Sequence, residues 1–181
     1  MRYNQVIHIN AHRVSVNDPT YFIADVASNH DGDLARAKDL IWKAKESGAD
    51  AVKFQHFKAS KIVSDVGFRA IGLMTHQKGW QKSVYEIYEA CELNRAWNET
   101  LASTAKQANI DFMTSPYDVE AVATMAPLVS AFKIGSGEIT WTETLGEIAR
   151  QGKPVILATG ASTMEDVERA LEAILPHNRD L

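Results

Sequence analysis

Two lysines and a set of hydroxyl and carboxyl groups could carry chemistry in this sequence. Lys53 sits in "AVKFQHF" and Lys133 in "AFKIGSGEITW", both otherwise largely apolar. An ammonium in an apolar strand is costly unless it meets an anion. Either lysine alone could snorkel to the surface or pair with an internal acid such as Asp25 or Glu138. Two of them, on two strands of one sheet, favour a shared anionic ligand. Ser115, Ser136 and Thr159 stand at strand ends, where hydroxyls could donate to a phosphate or a carboxylate. A Schiff-base lysine, as in aldolases, is a second chemistry open to these residues, because a desolvated amine has a lowered pKa. It would use one lysine and leave the other unexplained. Glu138 follows a permissive "GSG" that lets the backbone bend toward a ligand. The same position equally suits a carboxylate at a helix start. Asp25, Gln55 and Thr114 complete the set.

These residues fall at the ends of five apolar, β-favouring runs, at 20–27, 51–57, 111–116, 131–137 and 154–160. Near-continuous apolarity suits strands covered on both faces, as in parallel sheets. Amphipathic helical patterns lie between them. In one, Leu34, Ala37, Leu40, Ile41 and Ala44 share a face, and Gly48 suits the C-terminal cap. In another, Ser162 and Glu165 read as a capping box ahead of Val167, Ala170, Leu171 and Ile174. The connection between the second and third strands is the long one, a loop and two helices. The opening "QVIHINAHRVS" alternates weakly, as a short hairpin outside the main sheet would. Repeated βα units predict an α/β fold, one domain over residues 1–181, with a parallel sheet and right-handed crossovers. Two architectures compete. A doubly wound sheet needs no further strands, whereas a (β/α)8 barrel needs eight and typically ~250 residues. In both, ligands bind beyond the C-terminal ends of the strands, where the polar residues gather. "ASNHDGD" has one glycine where a dinucleotide fingerprint wants three.

Composition removes other classes. The chain has 181 residues, 45% hydrophobic, with a formal charge of −4. That supports one sizeable core and argues against a nucleic-acid surface, which needs clustered Lys and Arg. No window approaches the ~18 consecutive apolar residues of a membrane helix. The start lacks the apolar core of a signal peptide. A single cysteine, Cys91, cannot form an internal disulfide and fits a reducing cytoplasm. Cys91 reads as a small buried side chain, on a core stripe with Val84, Ile87 and Tyr88. His30, in "SNHDGD", could be a ligand, and "NHDGD" is equally turn chemistry before a helix. His56, His76 and His177 show no HxxxH or HxH metal spacing.

Taken together, "YFIADVASNHDGDLARAKDLIWKAKESGADAVKFQHFKA", "FMTSPYD", "AFKIGSGEI" and "GKPVILATGASTMEDVERALEAI" resemble the sialic acid synthase family, which includes N-acetylneuraminate, legionaminate and pseudaminate synthases. The resemblance runs nearly the whole chain, with motifs in family order. It implies a (β/α)8 TIM barrel, of which this chain supplies about five βα units. It also implies condensation of phosphoenolpyruvate with an N-acylated amino sugar in its open-chain aldehyde form, giving a nine-carbon 2-keto acid. By motif position, Lys53, Ser115, Lys133 and Ser136 correspond to phosphoenolpyruvate contacts. Glu138 and Asp25 correspond to active-site acids, and Gln55 lies beside the sugar. A divalent metal, Mn2+ or Mg2+, is implied, with its histidine ligands on later strands outside this chain. A homodimer is implied for the full-length form, with a small C-terminal antifreeze-like domain that this chain lacks. No nucleic acid or membrane partner is expected.

The chain departs from the family pattern in places. Asp25 stands where Glu is usual, Ala158 lacks an expected hydroxyl, and "TSP" replaces "STP". Two other readings therefore stand beside the main one. One is a different phosphoenolpyruvate-dependent 3-deoxy keto acid synthase. The other is a catalytically silent homologue that binds a sugar or a protein.

Overall fold

The computed structural model describes residues 2–72 and 79–181. His76 and part of the long connection lie outside the described residues. The chain opens with an antiparallel hairpin, β1 (Ile7–Ile9) and β2 (His12–Val14), turning at Asn10 with φ 50°. The weak alternation of the sequence anticipated it.

Five parallel strands follow: β3 (Ile23–Ala27), β4 (Ala51–His56), β5 (Asp111–Pro116), β6 (Ala131–Ile134) and β7 (Val155–Leu157). They pair in chain order, β3-β4-β5-β6-β7. Among the described strands the order never reverses, so there is no switch point of the kind a doubly wound sheet uses for its ligand.

Helices connect the strands. α1 (Leu34–Glu46) is capped by Asp33, whose carboxylate accepts from the N–H groups of Ala35 and Arg36. Gly48 adopts φ 85° just past its end, as a left-handed stop requires. The second connection is more broken than expected. Among its described residues are three short helices, α2 (Ala59–Ile62), α3 (Asp65–Ile71) and α4 (Val84–Ala90), then a 3-10 turn at Arg95–Trp97 and α5 (Asn98–Gln107). α6 (Val119–Met125), α7 (Thr142–Arg150) and α8 (Met164–Ile174) complete the set. At α8 the capping box falls one residue later than the sequence pattern suggests: Thr163 and Asp166 exchange the bonds. Ser162 Oγ is buried without a partner.

The two faces of the sheet differ in kind. One carries Val52, Phe54, Phe112, Phe132, Ile134 and Val155, packed with Ile41, Leu101, Val122, Leu145, Ile148 and Ile174 from the helices. Each fully buried side chain of this size contributes about 1.5–3 kcal/mol. The opposite face has a small apolar patch, Ala51, Met113 and Ala131, near the strand starts, covered by Ile9 of the hairpin. Asp111 anchors that cover, accepting from Asn10 Nδ2 at 2.5 Å and from Tyr21 OH at 2.6 Å. His12 Nδ1 lies 3.0 Å from the same carboxylate. The hairpin thus closes one end of this face and leaves the other end open.

Candidate active site

The parallel register places the sequence-predicted residues on the face away from the helices. Side chains alternate along a strand, so Lys53 and Gln55 share the face of Ala51, Ser115 that of Met113, and Lys133 that of Ala131. Asp25 is the register partner of Lys53, and Gln55 that of Ser115. Lys133 follows the Thr114–Phe132 pair by one step. The two lysines therefore project from one face, one inward layer and two strands apart, roughly 10 Å across the sheet.

Their surroundings differ. Lys53 is 4% exposed and donates to Asp25 Oδ1 at 2.7 Å. That bond uses one of three ammonium donors. Lys133 is half-buried and makes no hydrogen bond or ion pair among the described residues. Its field reaches Glu138, in the turn after β6. Burial raises the Glu138 carboxyl above its ordinary value, while Lys133 and the N–H groups of Glu138 and Gly135 pull it back. The carboxylate is folded over Gly135, and a Cβ there would run into Oε2. Of the "GSG", only Gly135 meets the acid and leaves room for it; a Cβ on Gly137 would have nothing within 4 Å.

Ser136 occupies the same turn, close to the β7 loop: a Cβ on Gly160 would sit 4.0 Å from Ser136 Oγ. Ser115 is buried on β5. Gln55 is oriented by two neighbours. Ser28 Oγ donates to its Oε1 at 3.3 Å, and its Nε2 donates to Tyr117 OH at 3.0 Å. The Tyr117 phenol is pushed up to about 12, by burial first and by Glu138 second. It is a neutral phenol at ordinary pH, and among the described residues its hydroxyl accepts from Gln55 and donates to no side chain.

Some sequence candidates belong elsewhere. Thr114 faces the helices and lies 2.6 Å from His56 Nδ1, while His56 Nε2 donates to Asn98 Oδ1 at 3.2 Å. Burial lowers His56 to about 4, so it is a neutral structural histidine. Thr159 is exposed beyond β7. His30 is fully buried in the turn after β3, its Nδ1 accepting from Gly32 N at 3.1 Å. Cys91 caps the end of α4 and is only half-buried.

The sequence reading missed a pocket. A 260 Å³ cavity opens beside Gln55 and Glu138, walled by Phe57, Ile62, Val63, Phe68, Tyr88 and Tyr117. Tyr88, assigned from its helical spacing to a core stripe, instead lines this wall and is 37% exposed. Three broken helices contribute to it, and their apolar residues carry no periodic signal strong enough to announce a pocket. A larger cleft of 830 Å³ lies around the strand starts, by His12, Asp50 and Asp111. It is at the other end of the sheet from the lysines.

The fold and this site define a parallel α/β protein with two ammonium groups, hydroxyls and a carboxyl of raised pKa at the C-terminal strand ends. The chain belongs to the NeuB family, which it matches over residues 40–181. It is 38% identical over 156 residues to the N,N'-diacetyllegionaminic acid synthase of Campylobacter jejuni, covering 86% of this chain and 46% of that protein. To the N,N'-diacetyllegionaminic acid synthase of Legionella pneumophila it is 35% identical over 161 residues, covering 87% and 44%. The chain thus spans less than half the length of these relatives. The sialic acid synthetase of Leptospira borgpetersenii superposes with a TM-score of 0.82 at 24% identity, covering 99% of this chain and 58% of that one, a likeness of fold.

Proposed function

We propose that the full-length protein condenses phosphoenolpyruvate with the open-chain aldehyde of an N-acylated amino sugar, as a sialic-acid-type synthase. Carbon 3 of phosphoenolpyruvate attacks the aldehyde carbon and water adds at carbon 2. Phosphate then departs with its bridging oxygen, leaving a nine-carbon 2-keto acid. The relatives' names as sugar acid synthases support this reading. The observation that carries it is Lys133: a half-buried ammonium with no acid bonded to it among the described residues, on the same face as Lys53 and beside Glu138.

In this reading Lys53 and Lys133 neutralise the phosphate and carboxylate, and Ser115 and Ser136 donate to them. Asp25 holds Lys53 and stands as a second acid at the site. Glu138, with its raised pKa, exchanges a proton with the reacting oxygen or the attacking water. Gln55 meets the sugar. The same reading makes the five strands an arc of a (β/α)8 barrel. In support, Val155 N donates to Asp180 O at 2.8 Å, much as Asp111 N donates to Asp50 O at 2.9 Å where β5 meets its neighbour.

A divalent metal, Mn2+ or Mg2+, would polarise the aldehyde oxygen. Among the described residues no group of three or more His, Cys, Asp or Glu side chains could hold one, so no step is assigned to it here, and its ligands are proposed to lie on further strands. A homodimer is proposed on the resemblance alone. A cytoplasmic location fits the free Cys91, and among the described residues no helix is long and apolar enough to cross a membrane.

The test is phosphoenolpyruvate-dependent phosphate release by the full-length protein with N-acylated amino sugars. Lys133→Met should lose roughly 2–5 kcal/mol in kcat/KM for phosphoenolpyruvate while leaving the sugar's KM nearly unchanged. Equal losses for both substrates would make Lys133 structural.

A further inference from the structure

We infer that His30 is a positioning residue: it pins the turn after β3 so that Ser28 holds the Gln55 amide in place. The inference rests on the synthase reading above and adds to it a residue that touches neither substrate.

The turn between β3 and α1 is exposed at Asn29, Asp31, Gly32 and Asp33, yet His30 in its middle is 0% exposed. The His30 ring meets Trp97 edge-on, with centroids 6.0 Å apart. Trp97 ends the 3-10 turn after α4 and packs against the main core. His30 thereby ties an exposed turn to the core. The turn needs such a tie. Ala27, Asp31 and Gly32 adopt φ of 52°, 49° and 72°, and a non-glycine residue stays in that region only where its surroundings hold it there.

A leucine would pack against Trp97 without the cost of burying an imidazole. What the imidazole adds is Nδ1. Burial lowers the His30 pKa, so the ring is neutral, and Nδ1 accepts from Gly32 N at 3.1 Å. Asp33 N donates to the His30 carbonyl at 2.9 Å. One buried residue therefore holds the amides of Gly32 and of Asp33, the N-cap of α1. On its other side the same turn carries Ser28. Ser28 Oγ donates to Gln55 Oε1 at 3.3 Å, and Gln55 Nε2 donates to Tyr117 OH at 3.0 Å. Without Ser28 the amide is held at one end only. Lys53 and Lys133 stand on the strands and do not depend on this turn for their place.

The experiment measures phosphate release and thermal melting of the full-length protein and its variants. The acceptor panel is N-acetylmannosamine and 2,4-diacetamido-2,4,6-trideoxymannose. His30→Leu keeps the contact with Trp97 and loses the hydrogen bond to Gly32. The sugar KM should rise about tenfold, the scale of one hydrogen bond, with the phosphoenolpyruvate KM little changed. His30→Asn does the reverse. Its Oδ1 takes the place of Nδ1, as in an Asx turn, so the sugar KM should stay near the parent's although the smaller side chain lowers the melting temperature. His30→Gln, whose amide sits one carbon further out, should follow His30→Leu and supplies the comparison if the leucine variant does not fold. Ser28→Ala should reproduce the rise in sugar KM, and combining it with His30→Leu should add nothing, because both act on one amide. A sugar KM that follows the melting temperature across the His30 variants, or effects of Ser28→Ala and His30→Leu that multiply, overturns the inference and leaves the synthase reading standing. A parent that consumes no phosphoenolpyruvate with either sugar removes the synthase reading and this inference with it.

Discussion

Glu138 shows how one side chain is tuned by what surrounds it. A carboxyl raised by burial is stabilised when protonated. Its contribution to stability is therefore fully present below the unfolded value and is lost as pH rises through the folded value. Glu138→Gln cannot ionise, so the variant is expected to melt higher than the parent at neutral pH, with the gain vanishing in acid. The same change should lower turnover by roughly 10²–10⁴-fold, the usual contribution of a general acid or base, with little effect on substrate binding. Melting curves across pH and steady-state kinetics check the two halves separately. Near-normal turnover would return Glu138 to a helix-start role. Ala27 is a second residue under local constraint. It closes β3 at φ 52°, next to a register shift, without being glycine. A left-handed alanine costs roughly 1–2 kcal/mol, held here beside the Asp25–Lys53 pair.

Elements divide the work between the two ends of the strands. The hairpin β1–β2 seals the strand starts, with Ile9 only 1% exposed. Ile9→Ala should destabilise the fold by roughly 2–5 kcal/mol in denaturant unfolding and leave the KM for phosphoenolpyruvate unchanged, because the lysines sit at the other end. A matching loss of substrate affinity would show the two ends to be coupled. On the helix side, His56 links β4 to Thr114 on β5 and to Asn98 on α5. Its pKa is lowered to about 4, so its contribution is present above its unfolded value near 6.5 and is lost as pH falls toward the folded value. Stability measured in urea should decline through that window by up to about 1.4 kcal/mol per pH unit from this one proton. His30, also lowered by burial, adds to the decline with the same sign. A His56→Gln variant whose pH dependence matches the parent would remove His56 from the account.

At the scale of the whole molecule the five strands form an open sheet with β3 and β7 at its edges among the described strands. Unpaired edges of a parallel sheet are templates for pairing with another chain. The side chain of Asp25, on the β3 edge, is 59% exposed although its partner Lys53 is buried. That asymmetry follows from a face covered on one side only. The 181-residue polypeptide by itself is therefore expected to associate in a concentration-dependent way and to release no phosphate from phosphoenolpyruvate with any acceptor in the panel. Sedimentation and the phosphate assay test this together. A monodisperse monomer with turnover would show that these strands suffice.

Much of this architecture could be read from local order in the sequence. Continuous apolar runs interrupted by amphipathic helices determined a parallel α/β fold, because strand and helix periods are properties of neighbouring residues. The odd lysines and the "GSGE" turn marked the candidate site for the same reason: a charge inside an apolar run is visible without knowing what it touches. Alternation along each strand was enough to put Lys53 and Gln55 on one face. What required the tertiary structure was everything set by partners distant in the chain. The strand order, which distinguishes a singly wound sheet from a doubly wound one, depends on which way each crossover turns. That Lys53 bonds Asp25 while Lys133 bonds no acid among the described residues depends on the register between strands. The aromatic pocket was invisible in sequence, because its walls come from β4, the β5 loop and three short helices whose residues share no period. Periodicity reports which side of its own element a residue faces; only packing brings the sides of different elements together.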